Sequence, residues 1–146
     1  MIRKVDRIAV VVLTTIVGLS AVVPGWTMMT TGTVGGFDLP AEWLSGSAPF
    51  RDYAVPGLVL LVVVGGGDLV AAAVSVLSER LSPIAGLAAG LMLVGWIAGE
   101  LVFMTQTMVL TWVVLGTGLA LIALSAPYAL PALRALLGPG GRTSAA

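Results

Sequence analysis

The chain has neither cysteine nor histidine, and only 10% of its 146 residues are charged. Without cysteine there is no disulfide, thiolate metal ligand or thiol nucleophile. Without histidine, His-ligated haem, the usual zinc sites and any Ser-His or Cys-His dyad within the chain are excluded. No metal site and no cofactor is therefore expected. Neither sign of charge dominates: seven basic residues balance seven acidic ones. The chain has no net field to gather nucleic acid, which is set aside as a partner.

What is present is apolar. Hydrophobic residues make up 58% of the chain, whereas an ordinary soluble domain carries roughly 25% charged residues. A soluble protein of this composition would expose far more continuous apolar surface than monomers tolerate. The solvent implied is the lipid bilayer.

A hydrocarbon core about 30 Å thick needs about 20 mostly apolar residues per helical crossing. The first run, predicted over residues 8–29, reads IAVVVLTTIVGLSAVVPGWTMM, with Pro24 to bend or end it and Trp26 at the interface. The second, over 54–77, is interrupted only by Asp68, and Pro56 lies in its first turn, where a missing N–H costs little. From Leu81 to Leu133 Glu100 is the single charge. As one helix that stretch would be about 80 Å long, so it must fold back. The polar break Thr105-Gln106-Thr107 divides it into spans 84–104 and 108–126. Beyond them Pro127 and Pro131 are expected to break or kink the chain before a disordered tail, 138–146.

The fold class expected is an all-α integral membrane four-helix bundle, occupying residues 1–137, with a short interfacial helix in its first outer loop. Arg3, Lys4, Arg7, Arg80, Arg134 and Arg142 all fall on one side of this topology, leaving only Arg51 opposite. Lysine and arginine concentrate in cytoplasmic loops, so both termini are expected inside and the localisation is the cytoplasmic membrane. The rival for the N-terminus is a cleaved signal peptide, but its small-x-small site, Gly18-Leu19-Ser20, lies within the apolar run.

The outer loop, about 30–53, has enough sequence to hold structure. Asp38 is placed to cap a short helix begun by Pro40, with Glu42 in its first turn and Trp43 and Leu44 on its apolar side. Its two readings are a lid over the outer mouth and an interfacial anchor, the latter favoured because aromatic belts are general.

Two acids lie inside the spans, where ionisable groups are costly and mark function by default. Asp68 is about 20 Å below the outer end of its helix by the helical rise. It shares a face with Leu61, Val64, Gly65, Ala71, Ala72 and Ser75, small enough to pack closely and shield it from lipid. No basic residue lies at that depth to pair with it, so the neutral acid is the expected form. Glu100 is shallower, within one turn of Trp96, and Arg51 and Asp52 of the outer loop are its candidate partners. A Glu100–Arg51 ion pair is the structural alternative to a functional role. The two acids differ in depth by about 10 Å and do not read as a pair sharing one proton.

Gly86-x-x-x-Gly90 and Gly95-x-x-x-Gly99 place small faces along the third span, read as close packing within the bundle rather than a dimer interface. Gly65-Gly66-Gly67, just before Asp68, is read either as a local unwinding that would mark a site or, preferentially, as a tight helix crossing.

The segment FDLPAEWLSGSAPFRDYAVPGLVLLVVVGGGDLVAAA, residues 37–73, resembles small four-span membrane proteins of high-GC, actinobacterial-type bacteria. The pattern LP..L..S.PF.DY..PGL and the stretch Trp96 to Glu100 carry the resemblance, and the arrangement is loosely similar to that of DoxX-type proteins. It implies a fold and no activity. On the residues alone, the expected role is non-enzymatic: an accessory or partner-binding subunit, in contact with the bilayer and with a protein partner or copies of itself. The alternative is a small transporter or lipid-binding protein using Asp68 and Glu100. An enzyme ranks third, because Glu42, Asp52, Asp68 and Glu100 form no constellation with a nucleophile or metal ligand.

Overall fold

The computed structural model describes residues 2–138. Four helices, α1 (Lys4–Thr31), α2 (Ala54–Leu77), α3 (Ser82–Phe103) and α4 (Val109–Leu137), are each long and apolar enough to cross a membrane. The chain is an all-α, multi-pass bundle in which α1 packs along α2 and α3 along α4. Contacts of α2 with α3 and of α1 with α4 close the ring, and α1 meets α3 across its middle. Among the described residues α2 and α4 do not touch. The start of α1, the end of α4 and the α2–α3 turn lie at one end of the bundle, the terminal end; the long α1–α2 loop and the α3–α4 turn form the loop end.

The spacing of buried residues explains the packing. Along α1 they are Asp6, Val10, Thr14, Gly18, Ala21, Gly25 and Met28, a seam recurring every three or four positions. Small and polar groups face inward, while Val12, Ile16, Leu19 and Val23 are exposed, the arrangement suited to lipid. The glycines let backbones approach: a methyl placed on Gly57 would stand 2.5 Å from the Met29 nitrogen, and one on Gly25 would stand 2.7 Å from the Leu61 nitrogen.

Of the outcomes expected at the prolines, it is the ending of the helix that the structure overturns. Pro24 neither ends nor interrupts α1, and α4 continues through Pro127 and Pro131 to Leu137. The two prolines of α4 are one turn apart and both exposed, so the carbonyls they leave unpaired share the outer face of the helix, and the core is undisturbed. Of the tail expected over 138–146, all but Gly138 lies outside the described residues.

The triple glycine does not unwind α2. Instead Leu60–Gly66 is wound as π-helix, and Gly67–Leu77 resumes as α-helix. Gly65 faces Gly18 closely, and Gly67 faces the Met92 sulfur, so the preferred reading, a tight crossing, describes what these glycines do.

The loop end is more elaborate than expected. Thr33–Val34 pairs antiparallel with Phe37–Asp38 around Gly35-Gly36, whose φ angles of 58° and 82° suit the tight turn of a two-residue hairpin. Asp38 therefore sits in a strand, and the expected helix is one 3₁₀ turn, Ala41–Trp43, without a side-chain cap. The hairpin takes up the residues that would have brought Asp38 to the cap. This loop is strapped to the α3–α4 turn: Ser45 N donates to Phe103 O at 2.8 Å and Thr105 N to Trp43 O at 2.7 Å. Beneath the strap Met28, Leu39 and Tyr53 form a small buried core. The Tyr53 hydroxyl donates to Pro40 O at 2.9 Å, and burial raises its pKa above the ordinary phenol value.

At the terminal end Asp6 accepts from Arg3 Nε at 2.8 Å and from the Tyr128 hydroxyl at 3.1 Å, tying α1 to α4. Arg7 donates to Ser75 O and Val76 O, each at 2.8 Å, and pairs with Glu79. Its guanidinium thereby satisfies carbonyls in the last turn of α2.

Candidate functional site

The loop half of the bundle contains two clefts that converge on α3. The larger, about 340 Å³, lies between α2 and α3 under Leu44 and Phe50. Its floor is made by absence of side chains: nothing lies within 4 Å of a methyl built on Gly95 or on Gly99. Of the two glycine pairs on α3, only Gly86 and Gly90 serve helix packing, against Ser125, Ile122 and Gly118 of α4. The smaller cleft, about 150 Å³, lies on the other side of α3, toward α1 and α4, and includes Ser20, Pro24 and Thr111. Met28, Val64, Trp96, Glu100 and Met104 border both clefts.

Glu100 is therefore a half-buried acid on the partition between two apolar clefts. Thr111 Oγ1 donates to its Oε1 at 2.6 Å. The ion pair with Arg51, the structural alternative weighed for Glu100, is not formed; among the described residues the ion pairs are Arg3–Asp6 and Arg7–Glu79. Phe50 takes the inward position, its ring 5.7 Å from that of Phe103 and edge-on to it, and leaves Arg51 exposed. Asp52 is exposed as well, and its Oδ1 accepts from Ala54 N at 3.0 Å, anchoring the start of α2 rather than meeting Glu100. Trp96 is where the sequence placed it, one turn from Glu100.

Asp68 is separate from this site. It is fully buried, and neither carboxyl oxygen has a hydrogen-bond partner among the described residues. One turn toward the loop end, Val64 is 2% exposed and stands between Asp68 and both clefts, with Leu93 and Ile97 equally buried on α3. The two acids do not share a cavity, in keeping with their different depths.

Sequence reasoning missed Thr111 and the open floor at Gly95 and Gly99. The first had a signal: a hairpin turning at Thr105-Gln106 brings residue 100 opposite residue 111. The second had none, because small residues read alike whether they meet a neighbour or a space.

No group of three or more Asp or Glu residues close enough to hold a metal ion occurs among the described residues. No known family model matches the chain, and no curated protein or solved structure matches it.

Proposed function

We propose that this chain binds an apolar or amphipathic small molecule, of the class of a lipid or other long-chain compound, in the two clefts of the loop half. The observation that carries the reading is the partition itself. A space of about 340 Å³, within the range of small-molecule sites (about 300–1,000 Å³), is roofed by a strapped loop and has one carboxylate at its edge. Apolar walls take a chain, and Glu100 with Thr111 takes a hydroxyl, amide or amine at its head. The distribution of basic residues supports an orientation with the loop end outside and the termini in the cytoplasm, in the cytoplasmic membrane. The ligand would then enter from the outer leaflet.

The test is mass spectrometry of the gently solubilised protein, comparing the parent with Gly99→Leu and Glu100→Gln. Gly99→Leu fills the cleft without meeting a neighbour at its Cβ and should remove the retained molecule while leaving the melting temperature near the parent's. Equal retention in all three proteins, or no retained molecule in the parent, sinks the reading.

The accessory-subunit reading rests on the same groove. Open space along Gly95 and Gly99 also suits a partner's transmembrane helix. Its signature in the same experiment is a co-purifying protein, lost with Gly99→Leu, in place of a small molecule.

A further inference from the structure

Five buried polar groups remain after Thr111 of the loop-half site and the paired Asp6 are accounted for, and they form a sequence. Asp68 and Ser75 of α2, Ser82 of α3, Ser125 of α4 and Thr14 of α1 are all fully buried. The carboxyl of Asp68 and the hydroxyls of Ser75, Ser82 and Ser125 have no hydrogen-bond partner among the described residues, while Thr14 bonds back to Val10 O at 2.7 Å. All five sit on the inward faces of their helices, in the terminal half.

Contacts fix their order along the bundle. Arg7 meets Glu79, Gly18 faces Gly65 and Leu69, and Gly25 faces Leu61, so Ser75 lies level with Val11 and Asp68 level with Gly18. Gly86 abuts both Val10 and the Ser125 hydroxyl, which puts Ser125 level with Val10 and Ser82 one turn nearer the terminal end, beside Asp6. From that end the groups follow as Ser82, then Ser125 and Ser75, then Thr14, then Asp68. Successive levels are about one helical turn, or about 6 Å, apart. That spacing is too long for direct hydrogen bonds and suits one or two bridging waters per step.

The cost of the alternative decides the reading. An unpartnered hydroxyl in an apolar interior is costly and a carboxyl more so, and here four such residues cluster in one half of a small bundle. The loop half of the same core is closed by Val64, Leu93 and Ile97, which offer water nothing. At the other end the ladder reaches the level of the Asp6 carboxylate and the Tyr128 hydroxyl, two polar groups that can pass it water.

We propose that water reaches Asp68 from the terminal end along the Ser82–Ser125–Ser75–Thr14 ladder, so that its carboxyl exchanges protons with that side of the membrane and is sealed from the other. This path is distinct from the clefts at Glu100, and either stands without the other.

The natural absence of cysteine makes the test clean. Single variants Ser82→Cys, Ser125→Cys and Ser75→Cys, with Leu93→Cys as the sealed control, are placed in vesicles of known orientation. Silver ion is added to one side, and remaining thiols are counted with a maleimide after denaturation. From the terminal side the three ladder thiols should be blocked about ten-fold or more faster than from the loop side, and faster than Leu93→Cys. Ladder thiols unreactive from the terminal side, or no faster than Leu93→Cys, overturn the proposal. The unaltered protein gives a second reading that no folding defect can obscure. X-ray hydroxyl-radical footprinting should oxidise Val10 and Leu121, fully buried residues beside the ladder. Protection of both residues equal to that of Leu93 would count against a hydrated interior.

Discussion

Glu100 and Thr111 face each other across the α3–α4 hairpin, eleven residues apart in sequence and 2.6 Å apart in space. Thr111 is 3% exposed, and its hydroxyl also lies 3.4 Å from Met108 N, so one oxygen serves both the acid and the start of α4. Removing it by Thr111→Val leaves a half-buried carboxylate without its donor. Destabilisation by about 1–3 kcal/mol is expected in reversible unfolding in detergent or bicelles. In a double-mutant cycle with Glu100→Leu, the Thr111→Val cost should shrink. Additive costs would show that the bond carries no coupling energy.

Asp68, which has no hydrogen-bond partner among the described residues, gives a prediction of opposite sign. Holding a carboxyl and the water that reaches it inside an apolar core costs more than filling the same space with an apolar side chain of similar size, so Asp68→Leu should raise stability by about 1–3 kcal/mol, and Asp68→Asn should not lower it. A fall in melting temperature in both variants would mean that the carboxyl is a structural group. A rise would mark it as retained at a cost to stability, the usual sign of use.

The glycines divide into two classes that a substitution series separates. Gly57→Ala would place a methyl 2.5 Å from the Met29 nitrogen, where backbone must move, and should cost about 1–3 kcal/mol or prevent assembly. Gly95→Ala and Gly99→Ala meet nothing within 4 Å and should be neutral or slightly stabilising. Melting temperatures of the three variants decide the matter.

Arg7 and Glu79 are ion-paired but should not be equivalent. Glu79 is 55% exposed at its side chain, and Glu79→Gln should change stability by about 0–1 kcal/mol. Arg7 also closes two carbonyls at the end of α2, and Arg7→Leu should cost about 2 kcal/mol or more. Similar losses in the two variants would show that the pair, not the carbonyl contacts, holds this end.

Tyr53 makes the loop end sensitive to alkali. Burial raises its pKa, and a phenol that binds its proton more tightly when folded contributes stability below its unfolded pKa, near 10. That contribution is lost as pH rises from there toward the folded value, because the buried anion is disfavoured and cannot donate to Pro40 O. Loop-end opening followed by proteolysis or Trp43 fluorescence should accelerate above about pH 10 in the parent, and less steeply in Tyr53→Phe. Identical profiles would remove Tyr53 as the cause.

The four crossings were legible because hydrocarbon thickness and helical rise impose one length on each run; the second, Ala54–Leu77, ends where the sequence ends it. The position of Asp68 along its helix followed from the same arithmetic. The continuation of α4 past Pro127 was not legible, because a proline's effect depends on which face its freed carbonyl occupies, and that face is set by tertiary packing. The Thr33–Asp38 hairpin carried a readable cue in Gly35-Gly36, outweighed by the capping pattern at Asp38 and Pro40. Of the alternatives open for Glu100, Arg51 stood out because opposite charge is visible in a sequence, whereas the inward turn of Phe50 is not.

The strap between the first loop and the second hairpin has a consequence for biogenesis. Its acceptors and donors, Trp43 O with Thr105 N and Ser45 N with Phe103 O, are separated by about sixty residues, so the bonds form only after α3 and the turn that follows it are in place. Until then the segment around Leu44 and Phe50 has no roof to make. Protease resistance of that segment is thus a timer for synthesis: it should appear on ribosome-bound chains only once the α3–α4 turn has emerged, and never on a chain that stops after Leu77.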